Sequence, residues 1–414
     1  MLKQKSFMSR NVFMTGLTSF FTDVSSEMIY PLLQAFVRAL TVNVGPAIGI
    51  IEGLGESISS ILKVFSGYYS DKIKKRKRLA IFGYALSSIS KLLFFIPSVF
   101  SVLFFRFFDR IGKGIRTAPR DALISESVPR TFLGKAFGFQ RGMDFAGAFL
   151  GAGLLYVLLR YVFPDLNKVV NGNGIVSPDL FFPIIAIAVV SSFIGVIFLF
   201  FTKDEKEKDA TDISGKDATK PNLNIGKYNV NLKLFFIAQM IFTLGNSSNQ
   251  FLLLQSTNIW GNLETVVLMY VLFNLITSLT ATFFGGLSDK IGRKKLLVVG
   301  YLVYAVVYVA FGLISKDHSW LLWLFWPLYG FYYAMTEGVE KAFVAENAPK
   351  RSKATALGFY NTIVGIFLLP ASVLAGFLFH INSRAPFIFG GVMALTAVVI
   401  IKFFVKEVDA NLSA

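Results

Sequence analysis

Cysteine is missing from this 414-residue sequence, and histidine occurs only at His318 and His380. Without cysteine the chain has no disulfides, no thiolate metal ligands and no thiol redox chemistry. The two histidines fall near predicted outer helix ends, and no metal-ligand spacing or Ser-His-Asp arrangement appears in the sequence. We therefore expect no enzymatic activity, no metal and no cofactor.

Charged residues are also scarce. They make up 16% of the sequence, whereas a soluble domain carries about 25%. The mean hydropathy is +0.60. The apolar residues, including 45 phenylalanines, come in runs of about 20, which is the length that a helix needs to cross a bilayer. The composition predicts an all-α integral membrane protein surrounded by the lipid bilayer.

The net charge of +16 does not make nucleic acid an expected partner, because the cations are distributed as they are around a membrane. Roughly 30 lysines and arginines lie at one set of predicted helix ends, and about five lie at the other. Those five are Arg38, Arg160, Lys168, Lys316 and Arg384. The positive-inside rule then places both termini and the middle of the chain in the cytoplasm. We predict a multi-pass protein of the cell inner (cytoplasmic) membrane.

Run length and polarity predict twelve transmembrane helices. The first six cover 11–39, 47–70, 79–97, 99–127, 133–162 and 179–202, and the last six cover 232–256, 264–287, 295–315, 319–347, 354–380 and 385–405. Residues 203–231 are charged, contain Pro221 and lack apolar periodicity. This segment is predicted to be a cytoplasmic linker between an N-terminal bundle (1–202) and a C-terminal bundle (232–414) that ends in a short cytoplasmic tail.

One short loop occurs twice in the chain. Gly67-Tyr-Tyr-Ser-Asp71-Lys-Ile-Lys-Lys-Arg76 follows predicted helix 2, and Gly285-Gly-Leu-Ser-Asp289-Lys-Ile-Gly-Arg-Lys294 follows predicted helix 8. A second pair of related segments, 125–130 and 345–350, precedes predicted helices 5 and 11. Both matches fall near one offset of about 220 residues, which indicates a duplicated six-helix unit.

The repeated Gly-x-x-Ser-Asp-Lys-x-Gly-Arg-Lys pattern resembles the signature loop of the major facilitator superfamily. The twelve-helix plan and the charged midpoint resemble that family too. The first copy departs from the pattern, with Lys74 in place of Gly and Tyr69 in place of Leu. The resemblance implies two pseudo-symmetric six-helix bundles around a central cavity, in which Asp71 and Asp289 brace each loop against the opposite bundle. The implied gating residues are Gly67, Asp71, Lys75, Gly285, Asp289, Gly292 and Arg293.

Polar stripes run along predicted helices 1, 4, 7 and 10, the helices that line the cavity in the family that the chain resembles. A charged side chain in contact with lipid costs roughly several kcal/mol, so these polar stripes should face the protein interior. The candidates for shaping a solute cavity are Tyr30, Asn246, Asn249, Gln250, Glu337 and Glu340.

Acidic and basic residues of predicted helices 1, 2, 4 and 5 come to matching depths at a rise of about 1.5 Å per residue. The candidate proton carriers are Asp23, Glu27, Glu56 and Asp144. The cations that would tune them or hold an anionic group are Arg106, Arg110, Lys113 and Arg141. Two interpretations stay open: a structural ion-pair network, or the working proton site. The charges nearly cancel, so an anionic solute does not follow from the cations alone.

Two patterns bear on the type of transport. Arg110 and Gly114 match the helix 4 pattern of proton-coupled members of the family, whereas Lys113 and Arg116 depart from it. Gly147-x-x-x-Gly151 on predicted helix 5 has the spacing of close helix packing. Ala152 stands where the drug-antiporter pattern has proline, which weakens the interpretation as a drug exporter.

The predicted function is secondary active transport of a small solute by alternating access, coupled to protons and carried out by a monomer. Its partners would be a small-molecule solute and protons. A multidrug efflux antiporter is the alternative within transport. A non-transporting membrane protein on the same fold, such as a lipid mover or a sensor, is the alternative outside it, because a fold does not fix a function.

Overall fold

Helices form the regular structure of the described residues, which are 8–73, 75–128, 133–166, 177–203, 228–348 and 353–406 of this computed structural model. The first half contains α1 (Arg10–Leu40), α2 (Val44–Ile73), α3 (Arg76–Ser90), α4 (Val99–Glu126), α5 (Leu133–Val157) and α6 (Phe182–Phe200). The second half contains α7 (Val230–Gly245), α8 (Asn249–Trp260), α9 (Leu263–Ile291), α10 (Arg293–Leu313), α11 (Leu322–Asn347), α12 (Lys353–Ile381) and α13 (Ala385–Phe404). Within these ranges there is no β-strand.

The helices differ in how apolar they are. Among the described residues, seven spans are long and apolar enough to cross a membrane by length and composition, and they correspond to α3, α5, α6, α9, α10, α12 and α13. The remaining long helices, α1, α2, α4 and α11, all carry predicted intramembrane charges or polar stripes, and α7 and α8 divide another such segment. Polar residues on one face lower the mean hydropathy of a helix that still presents an apolar face.

The prediction of one continuous helix over 232–256 is wrong. Residues 246–248 are not helical, and they separate α7 from α8. Asn246 has φ −91° and ψ 81°, while the Ser248 hydroxyl accepts from the Gln250 N–H and so caps a new helix. Asn and Ser side chains compete with the helical backbone for hydrogen bonds, which favours a break where several stand together. Tyr304 donates to the carbonyl of Gly245 over 2.9 Å and so satisfies one of the carbonyl groups at the break.

The chain groups into two compact units. The first contains Met1–Thr41 and Leu54–Lys220, and the second contains Val42–Gly53 and Pro221–Ala414. Helix α2 therefore contributes its first turns to the second unit and the rest to the first. The predicted linker, 203–231, falls largely outside the described residues, and the bundle limits 1–202 and 232–414 stay predictions.

In the first unit, neighbouring helices pack closely against the backbone of α1. This helix packs against α5 and α6, while α3 packs against α4. At Gly151 an added Cβ would lie 2.8 Å from the Cα of Val24, and at Gly147 it would lie 3.1 Å from the Cβ of Asp23. The predicted close packing at the Gly147/Gly151 spacing is confirmed, and it places Asp23 and Asp144 on neighbouring helices near one crossing.

The second unit also contains helices that pack closely at glycine residues. Helix α7 packs against α12 and α13, and α10 packs against α11 and α13. An added Cβ on Gly390 would lie 2.6 Å from the carbonyl oxygen of Gly245, and one on Gly45 would lie 2.8 Å from that of Gly376. Stacked rings fill the interior of the unit, with Phe242 4.0 Å from Tyr301 between ring centroids. The core that results holds the break between α7 and α8 in place.

Candidate functional site

Helix α4 carries buried arginines that bond a carboxylate of α2. Glu56 Oε1 lies 2.8 Å from Arg110 Nη2 and 3.5 Å from Arg106 Nη2. Asp109 lies within 4.0 Å of both guanidinium groups. These are pairs that the matching depths predict. Because two carboxylates face these two arginines, the two cations are largely neutralised inside the first unit.

Two aromatic rings also contact these cations. The Arg106 guanidinium lies 5.4 Å from the ring centroid of Tyr30, and that of Arg116 lies 4.1 Å from the centroid of Tyr84. A cation over a ring face is attracted by the negative face of the ring. Tyr30 is thus engaged with the charge network of α4, whereas the sequence predicts it in a solute cavity.

A second group of polar residues surrounds Asp144 on α5. Its Oδ1 accepts from Gln140 Nε2 over 3.1 Å and lies 4.0 Å from Arg120 Nη1. Its Oδ2 lies 3.7 Å from Arg141 Nη1. The Asp144 side chain is 15% exposed and that of Arg141 is 66% exposed, so this ion pair reaches solvent-accessible surface.

Ser19 on α1 joins the helices around Asp144. Its hydroxyl accepts from Gln140 Nε2 over 2.5 Å and from Arg120 Nη1 over 3.1 Å, and it lies 3.2 Å from the Tyr84 hydroxyl. Side chains from α3, α4 and α5 therefore meet on one serine of α1. Ser19 and Arg120 lie on the polar stripes of predicted helices 1 and 4. Gln140 was missed by sequence reasoning, although a glutamine in a largely apolar helix is a visible signal.

Asp23 and Glu27 lie one turn apart on α1, and both are partly buried. Asp23 is within electrostatic reach of Asp144, Lys113, Arg116 and Glu27. Lys113 is also partly buried. The structure thus brings together the predicted residues Asp23, Lys113 and Asp144. Lys113 is also within electrostatic reach of Arg110 and Glu56, so it connects these residues to the ion-paired group of Glu56, Arg106 and Arg110.

Lys91 is a buried cation that sequence reasoning missed. Its side chain is 1% exposed, and its Nζ donates to Ser25 over 2.6 Å, to Ser26 over 3.3 Å and to Ser192 over 3.4 Å. These contacts tie the end of α3 to α1 and α6. The visible signal is a lysine directly after Ser87-Ser88-Ile89-Ser90 inside an otherwise apolar helix.

The second unit contains a cavity of about 200 Å³. Its walls come from α7, α11 and α12 and from the break after α7. The predicted residues Asn246, Glu337 and Glu340 line it, together with Gln239, Phe242, Thr243, Tyr332, Tyr333, Thr336, Lys341, Tyr360, Asn361, Val364 and Leu368. We call this space the tyrosine cavity.

Glu340 is the most enclosed acid of the tyrosine cavity. Tyr301 donates to its Oε1 over 2.7 Å, and Tyr360 donates to its Oε2. The Tyr301 hydroxyl also lies 2.6 Å from Oε1 of Gln239. Glu337, one turn away on the same helix, is exposed.

The other predicted polar residues of this half lie beyond the cavity wall. Asn249 Oδ1 accepts from Tyr329 over 2.7 Å and from Tyr333 over 3.3 Å. Gln250 is fully buried at the start of α8. Ser248, which caps that helix, donates to Oε2 of buried Glu52 over 3.0 Å. Asn249 and Gln250 are therefore structural neighbours of the cavity.

Part of the repeated loop is described. Gly292 has φ 97°, a conformation that favours glycine, and it separates α9 from α10. Lys75 is exposed at the start of α3, and Gly285 is partly buried within α9. The surroundings of Gly67 and the side chains of Asp71 and Asp289 lie outside what the structure describes, so the gating role of these residues stays a prediction.

Each repeat forms an arginine–glutamate ion pair between its loop and its second repeated segment, although the loop arginine stands one position earlier in the second copy, where Arg76 aligns with Lys294. Arg76 Nη2 lies 2.7 Å from Glu126 Oε1, and Arg293 Nε lies 3.1 Å from Glu346 Oε2. The acids belong to the second pair of repeated segments and the arginines to the loops. The two sequence repeats are thus joined within each unit by one arginine and one glutamate.

We expect this ion pair to contribute little to stability in either unit. Both pairs are partly exposed, so a double-mutant cycle of Arg293→Ala and Glu346→Ala should give a coupling free energy of about 0.5–1 kcal/mol. The same cycle at Arg76 and Glu126 should agree within about 0.5 kcal/mol. Thermal unfolding of the four variants of each cycle measures it. Single variants that each destabilise with zero coupling would show that the side chains act separately.

The sequence profile described as Major Facilitator Superfamily matches residues 15–256 and 235–413. An uncharacterized MFS-type transporter of Methanocaldococcus jannaschii is 39% identical over 403 residues, which cover 96% of this chain and 95% of the relative. Multidrug resistance protein 2 of Bacillus subtilis is 26% identical over 144 residues, 35% of this chain and 36% of that protein.

Solved transporter structures share the fold. The nucleoside transporter NupG superposes with a TM-score of 0.72 at 13% identity, over 95% of this chain and 98% of that one. A bacterial homologue of the lysosomal transporter Spinster in an inward-facing, unoccupied conformation gives 0.69 at 13% identity, over 97% and 96%. The predicted all-α membrane fold is confirmed, and so is the prediction of a transporter and not an enzyme. The chain is a multi-pass membrane transporter and belongs to the Major Facilitator Superfamily.

Proposed function

We propose that this protein is a secondary active transporter that moves a small solute by alternating access and couples this movement to protons. The proposal includes the cell inner membrane as location, cytoplasmic termini and a monomeric state. The positive-inside charge distribution supports the topology.

The observation that supports proton coupling is the position of Asp144. Its carboxylate is partly buried beside the α1–α5 crossing and faces Arg120 at 4.0 Å and Arg141 at 3.7 Å. Asp23 lies across the same crossing. Two acids near one another and near cations form a coupled group that can share one exchangeable proton. Intramembrane ionisable groups are functional candidates for this reason.

Glu27 and Glu56 have different roles in this transport mechanism. A proton that reached Glu56 would have to break its bonds to Arg110 and Arg106, which hold α2 against α4. We therefore assign Glu56 to the structural ion-pair group and the exchangeable proton to Asp23 and Asp144. Glu27 stays a candidate that assists Asp23 from one turn away.

The proposal predicts proton movement whenever the right solute moves. Purified protein in liposomes with an entrapped pH-sensitive dye would be exposed to radiolabelled uridine, choline, lactate and ethidium. We expect at least one solute to accumulate several-fold under an imposed pH gradient, to shift the internal pH on its own and to lose accumulation with a protonophore. Accumulation that ignores both the gradient and the protonophore would contradict proton coupling.

Efflux of drugs is the second candidate within transport. The observation that favours it is the match of about a third of the chain to multidrug resistance proteins of Bacillus subtilis. Ethidium accumulation in inverted vesicles, with none for the smaller solutes, would support this candidate over the first.

A further inference from the structure

The tyrosine cavity has an excess of negative groups where it is most enclosed. Three charged residues of α11 line it, namely Glu337, Glu340 and Lys341. Glu340 is 7% exposed, whereas Glu337 and Lys341 are exposed. An exposed ammonium is screened by solvent, but a carboxylate in a protein interior acts on a neighbour at low dielectric. The electrostatic preference of the interior is therefore set mainly by Glu340.

The end of α7 adds a second preference of the same sign. Helix α7 has 16 residues and ends at Gly245, and Thr243 and Asn246 at this end line the cavity. The carbonyl end of a helix carries about half a negative charge. Broken helices in transporters use such carbonyl ends to hold cations. A positively charged group in the cavity would thus lie between Glu340 and the end of α7.

Aromatic rings complete the walls. Phe242, Tyr332, Tyr333 and Tyr360 all line the cavity, and the Tyr332 and Tyr333 rings are 5.1 Å apart between centroids in an edge arrangement. Ring faces attract alkylammonium groups and repel anions. The volume of about 200 Å³ lies below the ~300–1,000 Å³ of sites for drug-sized ligands. The space fits a small amine.

We propose that the tyrosine cavity binds a small organic cation, an amine or a quaternary ammonium compound, and that the cation and a proton compete for Glu340. This inference rests on the proposed transport function and names its solute class. When the cation binds, the Glu340 carboxyl group releases its proton to solvent, and the carboxylate that results faces the cation. When the cation leaves, a proton from solvent neutralises the carboxylate.

The hydrogen bonds around Glu340 are complete in either state. The Tyr301 hydroxyl lies 2.6 Å from Gln239 Oε1 and 2.7 Å from Glu340 Oε1, yet it has one proton to donate. If Glu340 is protonated, it donates to Tyr301, and Tyr301 donates to Gln239. If Glu340 is ionised, a flip of the Gln239 amide lets its NH₂ donate to Tyr301, which then donates to Glu340.

The remaining titratable neighbours do not disturb this exchange. Tyr301 from α10 and Tyr360 from α12 donate to Glu340, Tyr332 from α11 lines the same cavity, and Glu337 and Lys341 are the charged residues beside it. The two charged neighbours are opposite in sign and exposed. The proton balance of the site therefore belongs mainly to Glu340, with the two donor tyrosines holding its oxygens.

The test measures binding alone, in detergent, with no membrane and no gradient. Choline is compared with 3,3-dimethyl-1-butanol, its neutral isostere, and with inorganic phosphate by thermal shift and calorimetry. We expect choline to stabilise the protein and the other two not to, since only bound ligand stabilises. Choline binding should weaken as pH falls, with up to one proton released per choline bound. Tetramethylammonium and putrescine extend the cation set.

Variants assign the effect to this cavity. Glu340→Gln should weaken choline binding at least tenfold and remove proton release, and Tyr333→Leu should weaken it several-fold. Lys341→Gln should bind choline as tightly or more tightly. Asp317→Asn is the matched control, because it removes an exposed carboxylate of the same unit outside the cavity. The unliganded melting temperature of Glu340→Gln shows whether it folds.

Three results would overturn the inference. They are equal stabilisation by choline and its neutral isostere, stabilisation by phosphate that Lys341→Gln abolishes, and no stabilisation by any of the three cations at millimolar concentration. None of them affects proton-coupled transport of another solute, which the liposome assay tests separately.

Discussion

Gly151→Val is expected to prevent stable folding of the first unit. An added Cβ at this position would lie 2.8 Å from the Cα and 3.0 Å from the carbonyl carbon of Val24, and both are backbone atoms that cannot rotate away. Valine adds two further methyl groups, so α1 and α5 must separate. Overpacking costs about 1–3 kcal/mol in soluble cores and more where the backbone is the obstacle. We expect a melting temperature at least about 10 °C lower and little monodisperse protein.

Gly153→Val on the same helix is the matched control. It makes the same chemical change two residues away, where an added Cβ meets no atom within 4 Å. Its melting temperature should stay within about 2 °C of the unmodified protein. Gly147→Ala should fall between the two, because its added Cβ would press on the backbone carbonyl of Phe20 but alanine adds no further methyl groups. Equal melting temperatures for Gly151→Val and Gly153→Val would contradict the close α1–α5 contact.

This contact was within reach of the sequence because its signal is local. Two glycines four residues apart on an apolar helix indicate a face that allows close approach. The depths of Arg106, Arg110 and Glu56 were also accessible, because the helical rise per residue is fixed. The sequence does not predict which helix packs against Gly151, because the glycine spacing carries no information about the identity of the neighbouring helix.

The break between α7 and α8 shows a different limit. Residues 239–250 carry polar side chains at helical spacing, and this pattern predicts a continuous stripe. The break at 246–248 arises because tyrosines of α10, distant in sequence, satisfy the freed carbonyls of Gly245 and Ser247. Without those donors the open backbone would be costly in a membrane. A tertiary contact therefore decided the local structure.

The candidate site divides in the same way. Spacing along α1, α4 and α5 indicates which acids and bases can meet. The polarity of Gln140 and Lys91 is visible in the sequence, but their hydrogen bonds to Ser19 and Ser25 on α1 are not. Long-range hydrogen bonds to neutral side chains change the charge and hydropathy patterns of a helix little. Ion pairs place a charged residue in each of the two helices that form them, and the sequence shows both charges.

Charge distribution also bears on the open choice between a structural and a working charge cluster. The arginines of α4 are already bonded to Glu56 and Asp109, which supports a structural part. Asp144, whose partner Arg141 is 66% exposed, supports a working part. The two interpretations then apply to different residues of the first unit, and a variant at Asp144 separates them.

Asp144→Asn is expected to abolish proton-driven accumulation and to preserve exchange. Asparagine keeps the size of aspartate and can still accept from Gln140, which now lies 3.1 Å from Oδ1. It cannot take up a proton at physiological pH. We expect accumulation under a pH gradient to fall at least tenfold, while counterflow of labelled against unlabelled solute changes less than about threefold. Liposomes loaded with the solute identified in the pH-dye assay measure both quantities.

Asp144→Glu is the rescue variant for this result, and Asp179→Asn is its control. Glutamate restores the titratable group, so Asp144→Glu should recover part of the accumulation, and the exposed Asp179 should be replaceable without effect. Arg141 is 66% exposed and can turn to solvent when its partner is neutral, so Arg141→Gln should shift the pH optimum of accumulation more than its maximum. If Asp144→Asn loses counterflow and accumulation to the same extent, Asp144 maintains the structure of the bundle. If it loses neither, the exchangeable proton resides on another carboxylate, with Asp23 the next to replace.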